Sequence, residues 1–255
     1  MSITVITSFN EKYYTQIGQY SVASFLSKWP ADINIVCYVE ECELVGTNRI
    51  IQIPFSELGQ SYIDFQNADY KNRVKVFAKK AYSIIHAMEN LDSDFIIWID
   101  SDVLTHSTVT ESILSDLCNA TNLTTFMGVK HPKDKTNPES EMLFSCESSF
   151  FVLNKRHPKF DAFAKRYREY YDNRLVENLR RFYDGDVLGA VIMDLADTAN
   201  MRDLSPSHKH KTPMPRTILN DYVMHFKAGL KDKESLKDDI YSVIGDVDII
   251  PLYCQ

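Results

Sequence analysis

Glycine and proline are scarce: 8 and 9 residues, together 17 of 255, against an average share of about 12%. That scarcity excludes a collagen-like, linker-rich or disordered chain. Long apolar runs are missing as well. The densest, Phe95-Ile96-Ile97-Trp98-Ile99, ends after five residues, where a membrane-spanning helix needs about 20. Met1 to Phe9 carries neither a basic stretch nor an extended apolar one, so it reads as a strand and not as a secretory leader. Cysteine occurs five times (Cys37, Cys42, Cys118, Cys146, Cys254) but never as Cys-x-x-Cys, which removes the usual zinc and dithiol patterns. Scattered thiols in odd number predict a reduced, cytoplasmic protein.

What is present fits one enzyme-sized domain, with 44% apolar and 12% aromatic residues to build a core. The net charge of −7 disfavours a polyanionic partner at first sight, but the charge is segregated. Lys155 to Arg181 holds nine Lys/Arg against four acids, and Arg202 to Lys233 holds seven against three. Two readings follow: a face that handles phosphate, or a solvated basic helix plus a basic loop.

Hydrophobic periodicity predicts strands at Ile3–Thr7, Ile33–Val39, Ile50–Ile53, Phe95–Ile99 and Phe150–Leu153. It predicts helices over Tyr14–Trp29, Lys71–Met88, His157–Asn173 and Asp186–Leu195. Lys130–Ser140 and Ser205–Arg216 read as loops, the latter with three prolines and His208-Lys209-His210-Lys211. Alternating strands and helices predict an α/β fold with a mostly parallel central sheet flanked by helices.

Asp-x-Asp occurs four times, at Asp92/Asp94, Asp100/Asp102, Asp184/Asp186 and Asp246/Asp248. Only Asp100-Ser101-Asp102 directly follows the most apolar strand. In open α/β sheets ligands bind beyond the carboxyl ends of the strands, and two carboxylates there suit a hard divalent cation, Mn²⁺ or Mg²⁺. Such an ion neutralises charge on a departing diphosphate. A solvated acidic turn is the plainer alternative.

The segment Phe95 to Leu104, with Asp100-Ser101-Asp102 inside it, resembles the metal-binding segment of GT-A glycosyltransferases of the glycogenin and lipopolysaccharide-glycosyltransferase family. Further pieces of that pattern follow in order. Val5-Ile6-Thr7, Tyr13-Tyr14 and Ser21 to Phe25 resemble the opening strand and helix that hold the nucleotide base. Lys79 or Lys80 stands near the family's basic residue on the preceding helix. Glu147 to Asn154 resembles its sugar-pocket strand, and Asp184-Gly185-Asp186-Val187-Leu188 an Asp-Gln-Asp-x-Leu motif contacting donor sugar and acceptor. His225 to Lys231 resembles a C-terminal His-x-x-Gly-x-x-Lys. Departures are Gly185 for Gln, Ser149 for Gly, and Gly229 displaced by one position.

The resemblance implies a single GT-A domain, with residues 1–104 binding nucleotide and metal and residues 105–255 binding sugar and acceptor. It implies a nucleotide-sugar donor, a UDP-sugar, held by Thr7, Tyr14, Lys79, Asp100 and Lys231. Asp100, Asp102 and His225 would ligate the metal, the imidazole favouring Mn²⁺. Asp184, Asp186 and Glu147 are the candidates for the chemistry, as a general base in an inverting enzyme or as stabilisers of an oxocarbenium-like state in a retaining one. Helix capping by Asp184 is its structural alternative. The expected acceptor is a glycan or lipid-linked saccharide, with a hydroxymethylated base of phage-type DNA allowed by the basic segments. A haloacid-dehalogenase-type phosphohydrolase with Asp100 as nucleophile is the rival reading. A nucleotidyltransferase is disfavoured because Thr7 to Tyr14 contains no glycine.

Overall fold

The computed structural model describes the chain except for residues 46, 133–141, 180, 206–212, 227–235, 246 and 254–255. β1 (Ile3–Asn10) runs into a helical stretch made of α1 (Glu11–Tyr13), a π turn (Tyr14–Gly18) and α2 (Gln19–Lys28). β2 (Asn34–Glu40), β3 (Glu43–Leu44), β4 (Ile50–Pro54), α3 (Gln60–Asn67) and α4 (Asn72–Asn90) follow. Next come β5 (Phe95–Ile99), β6 (Val103–Thr105), α5 (Glu111–Leu117), β7 (Thr124–Phe126), β8 (Gly128–Pro132), β9 (Met142–Cys146) and β10 (Phe150–Asn154). The chain continues through α6 (Phe160–Asp172), α7 (Asp184–Leu195), β11 (Met201–Asp203), β12 (Val223–His225), α8 (Leu236–Ile244) and β13 (Leu252–Tyr253).

Seven strands form the central sheet in the order β11-β7-β10-β5-β1-β2-β4. Neighbours pair in parallel except β10, which runs antiparallel to both β5 and β7. Strand periodicity sorts the core between the two faces. Ile6, Val36, Tyr38, Ile96 and Trp98 pack toward α4, α6 and α7. Val5, Ile35, Cys37, Phe95, Ile97 and Ile99 pack toward α2 and α5. Helices therefore cover both sides, and β5, buried at all five positions, is apolar on both faces as a central strand must be.

The predicted elements hold, with shifted ends. The helix expected from Tyr14 already starts at Glu11, where Asn10 caps it by accepting from the Tyr13 amide at 2.9 Å. Its end is secured by Arg49, whose guanidinium donates to the carbonyls of Leu26 and Pro30 at 2.8 Å each. The helix expected from Asp186 starts at Asp184. Part of the expected Lys130 loop is strand, because β8 pairs with β9 as far as Pro132; residues 133–140 of that loop lie outside the described residues. So do residues 206–212 of the Ser205–Arg216 segment, while Met214–Arg216 form a 3-10 turn.

From β1 the sheet grows outward through β2 and β4, then returns to place β5 on the other side of β1. The gap beyond the carboxyl ends of β1 and β5 is thus a topological switch point, where open α/β sheets bind ligands. Asp100 to Asp102 emerges at that point.

Among the described residues, six arginines of the basic segments are paired. Arg156, Arg166, Arg168, Arg174, Arg181 and Arg202 each pair with a carboxylate, Asp94, Asp194, Glu89, Glu177, Asp186 and Asp116 in turn. Four of these pairs join residues distant in sequence, while Arg174–Glu177 and Arg181–Asp186 are local. The four described cysteines are free thiols. No helix among the described residues is long and apolar enough to cross a membrane.

Candidate active site

Asp102 and His225 are joined by a short antiparallel ladder. β12 pairs with β6, setting His225 opposite Val103, and the Phe226 amide donates to the Asp102 carbonyl at 2.8 Å. His225 Nε2 consequently lies 3.2 Å from Asp102 Oδ1, and Nδ1 lies 3.6 Å from Glu147 Oε1. One ligand atom from each of Asp100, Asp102 and His225 fits within 4.8 Å of the others. Two carboxylates and an imidazole suit a divalent ion, the nitrogen shifting preference from Mg²⁺ toward Mn²⁺. The buried Nδ1 of His225 has no hydrogen-bond partner among the described residues, so the ring is oriented through Nε2 and Asp102. Burial acts to lower the imidazole pKa, but the Asp102 carboxylate outweighs it and holds the value above that of free histidine. A metal ion at this position would displace that proton.

Behind the acidic pair stands Lys80, on α4. Its ammonium donates to Asp100 Oδ1 at 2.6 Å and to the Ser148 carbonyl at 2.7 Å, and it meets Asp184 Oδ2 at 2.7 Å. The Trp98 indole donates to the same Asp100 oxygen at 2.6 Å, and Lys80 lies 4.8 Å from the Trp98 ring centroid. Trp98 and Asp100 are two residues apart at the end of β5, so they share a face. Burial acts against the Lys80 charge, yet the two carboxylates outweigh it and raise its pKa. Asp100 is pushed up by burial more than Lys80 pulls it down. For Asp184 burial loses to Lys80 and to the Ser148 hydroxyl, which donates to it at 2.6 Å, and the carboxyl sits below its usual range. Asp184 is therefore a fixed anion.

Asp184 is the first residue of α7 and not its cap; Tyr183 holds the cap position without a side-chain bond. Gly185 explains how α7 comes so close. A Cβ built on it would lie 2.2 Å from the Cys146 carbonyl oxygen, and one on Gly189 would lie 2.6 Å from the Ser145 Cα. Two glycines one turn apart let the helix backbone rest on β9, delivering Asp184 to Lys80. Asp186, on the next part of the turn, is held by Arg181 through contacts of 3.1 and 2.7 Å.

Placement of the remaining expected residues is mixed. Glu147 stands beside His225. Lys79, one helix position from Lys80, points elsewhere and pairs with Glu40 at 2.5 Å. Tyr14 is buried and donates its hydroxyl to the Ile250 carbonyl at 2.7 Å, while Tyr13 is exposed. Thr7 is buried in β1, its hydroxyl without a partner among the described residues. Lys231 and His208 to Lys211 lie outside the described residues. Trp98, Ser148 and Arg181 are additions to the expected set. The first could have been found from its position two residues before Asp100, and the other two from their closeness to Glu147 and Asp186.

The sheet is doubly wound, and carboxylates able to hold a metal stand at its switch point, where open α/β sheets bind ligands. Comparison with known proteins narrows it. No family profile matches the chain and no curated protein sequence matches it, but solved structures do. The galactosyltransferase LgtC, in complex with donor and acceptor sugar analogs, superposes with a TM-score of 0.59 at 13% identity over 97% of both chains. The bifunctional glycosyltransferase WbbM gives 0.59 at 14% identity; 96% of this chain is covered but only 50% of WbbM. Mouse xyloside xylosyltransferase 1 gives 0.53 at 10% identity over 100% of this chain and 98% of its own. The chain has the GT-A glycosyltransferase fold.

Proposed function

We propose that the protein is a metal-dependent glycosyltransferase that moves a sugar from a nucleotide-sugar, a UDP-sugar, to an acceptor hydroxyl. The observation that carries this reading is the convergence of Asp100, Asp102 and His225 within 4.8 Å at the switch point of a GT-A sheet. In the reaction the acceptor oxygen forms a bond to the anomeric carbon as the bond from that carbon to the diphosphate oxygen breaks. The diphosphate leaves with the electron pair, and the hydroxyl proton is released to it or to solvent.

Asp100, Asp102 and His225 would hold the ion, which when bound supplies charge neutralisation at the diphosphate. Lys80 binds Asp100 and Asp184 side by side. Asp184, with its lowered pKa, is a poor proton acceptor and an effective stabiliser of positive charge growing on the sugar ring. Asp186 is committed to Arg181, which leaves Glu147, at the rim of the metal-ligand cluster, to orient a hydroxyl. The phosphohydrolase reading loses its footing: β5 is the fifth strand in chain order, and Asp100 Oδ1 already accepts from both Lys80 and Trp98.

A thermal-shift panel of UDP, GDP, CDP and ADP, each with and without Mn²⁺, tests the reading. A nucleotide at 100 times its Kd adds about 2.7 kcal/mol of stability. The expected result is a shift with UDP that requires Mn²⁺ and is lost in Asp102→Asn. No shift with any nucleotide would remove the transferase reading.

A further inference from the structure

At the outer edge of the site, Arg73, Phe77 and Lys80 lie at helical spacings of four and three on α4, and so along one face of it. Lys80 forms the floor already described. The other two meet Tyr183, the residue just before Asp184. The Phe77 and Tyr183 rings are 4.9 Å apart at an interplanar angle of 71°, an edge-to-face contact. The Arg73 guanidinium lies over the Tyr183 ring, 4.8 Å from its centroid, and Arg181 approaches the same ring at 5.7 Å. Both rings are half-buried and Arg73 is exposed. The half-buried pair offers apolar surface for the C–H groups of a sugar ring, with the Arg73 guanidinium beside it.

The local charges are not equivalent. Lys80 is shared between Asp100 and Asp184, Arg181 is taken up by Asp186 and Lys79 by Glu40. Arg73 meets no carboxylate among the described residues, unlike the six paired arginines of the basic segments. A guanidinium stacked on a ring keeps its in-plane N–H donors for a planar or tetrahedral oxyanion. The contact with Tyr183 limits the rotamer freedom that Arg73 loses on binding.

We propose that Arg73, Phe77 and Tyr183 form the acceptor subsite and that the acceptor is an anionic saccharide, its ring packed beside the Phe77–Tyr183 pair and its carboxylate or phosphate on Arg73. This assignment rests on the glycosyltransferase reading and names the substrate class of that site.

The test is calorimetric titration of the protein, with UDP and Mn²⁺ present, by three matched probes: p-nitrophenyl glucoside, the corresponding glucuronide and the corresponding 6-phosphoglucoside. At least one anionic probe should bind about tenfold more tightly than the neutral one, roughly the worth of one hydrogen bond to a charged group. Which of the two leads identifies a carboxylate or a phosphate as the anion. In Arg73→Gln the ratio of anionic to neutral Kd should collapse to near one, and Arg73→Lys should restore part of it. A variant that merely loosens the fold weakens all probes together and leaves the ratio in place. A preference that survives Arg73→Gln, equal binding of all three probes to the wild type, or binding of none overturns the assignment. Failure of UDP and Mn²⁺ themselves to bind is a separate result and overturns the transferase reading.

Discussion

Lys80 and Asp184 are joined at 2.7 Å across the gap between α4 and the first residue of α7. The contact ties the two halves of the site, because the same ammonium reaches Asp100 at the end of β5. Neither partner is exposed enough for water to replace the other: the side chains of Lys80 and Asp184 are 12% and 9% accessible. One buried cation thereby fixes Asp100 and Asp184 relative to each other.

Removing that cation should cost far more than removing its neighbour. Lys80→Met leaves two carboxylates facing each other in a buried site, and breaking a buried pair costs about 3–5 kcal/mol. Lys79→Met breaks only the partly exposed pair with Glu40, worth less than about 1 kcal/mol. Urea denaturation of the two variants should separate them by several-fold in lost stability. Equal losses would mean that Lys80 is not the linchpin of the site.

Gly185→Ala is the smallest change that should disturb Asp184. The added carbon meets the Cys146 carbonyl oxygen at 2.2 Å, and neither contacting group is a flexible side-chain end, so α7 or β9 has to shift. Overpacking of this kind costs about 1–3 kcal/mol. The Asp184 contacts with Lys80 and Ser148 should lengthen as α7 retreats, and turnover should fall by more than the loss of folded protein explains. Unchanged stability, measured by denaturant titration, would contradict the close approach. The same contact explains why a glutamine is not found here: no side chain fits between α7 and β9 as they stand.

How much of this was legible in the sequence depends on the range of the interaction. Asp100 and Asp102 could be read because their setting is local, two carboxylates at the end of an apolar strand. The strand and helix sequence was legible for the same reason. His225 could be reached only through an ordered family pattern, since its place beside Asp102 comes from β12 pairing with β6. The choice between Lys79 and Lys80 was open because adjacent helical residues point about 100° apart, and only packing decides which faces the sheet end. The setting of Tyr14 was not legible either, because its hydroxyl partner, the Ile250 carbonyl, comes from the far C-terminal segment. The partners of the described basic residues were hidden for the same reason: Arg168 meets Glu89 on α4 and Arg166 meets Asp194 on α7, contacts that only the fold creates.

Tyr38 and His86 supply a pH dependence away from the metal ligands. Tyr38, fully buried on β2, has its hydroxyl 3.0 Å from His86 Nδ1 on α4. Burial pushes the imidazole pKa below that of free histidine, and Glu57 and Glu89 offset it only in part. The folded protein therefore holds this proton less readily than the unfolded chain does. Stability then rises with pH across the window between the folded value and the unfolded value of about 6.5, is fully present above it, and is lost as pH falls below it. The neutral imidazole can accept from the Tyr38 hydroxyl, whereas the protonated ring can only donate. His86→Asn removes the titration. The drop in unfolding free energy between about pH 7.5 and about pH 5 should be smaller in that variant than in the wild type. If the two drops coincide, the acid sensitivity of the fold lies elsewhere.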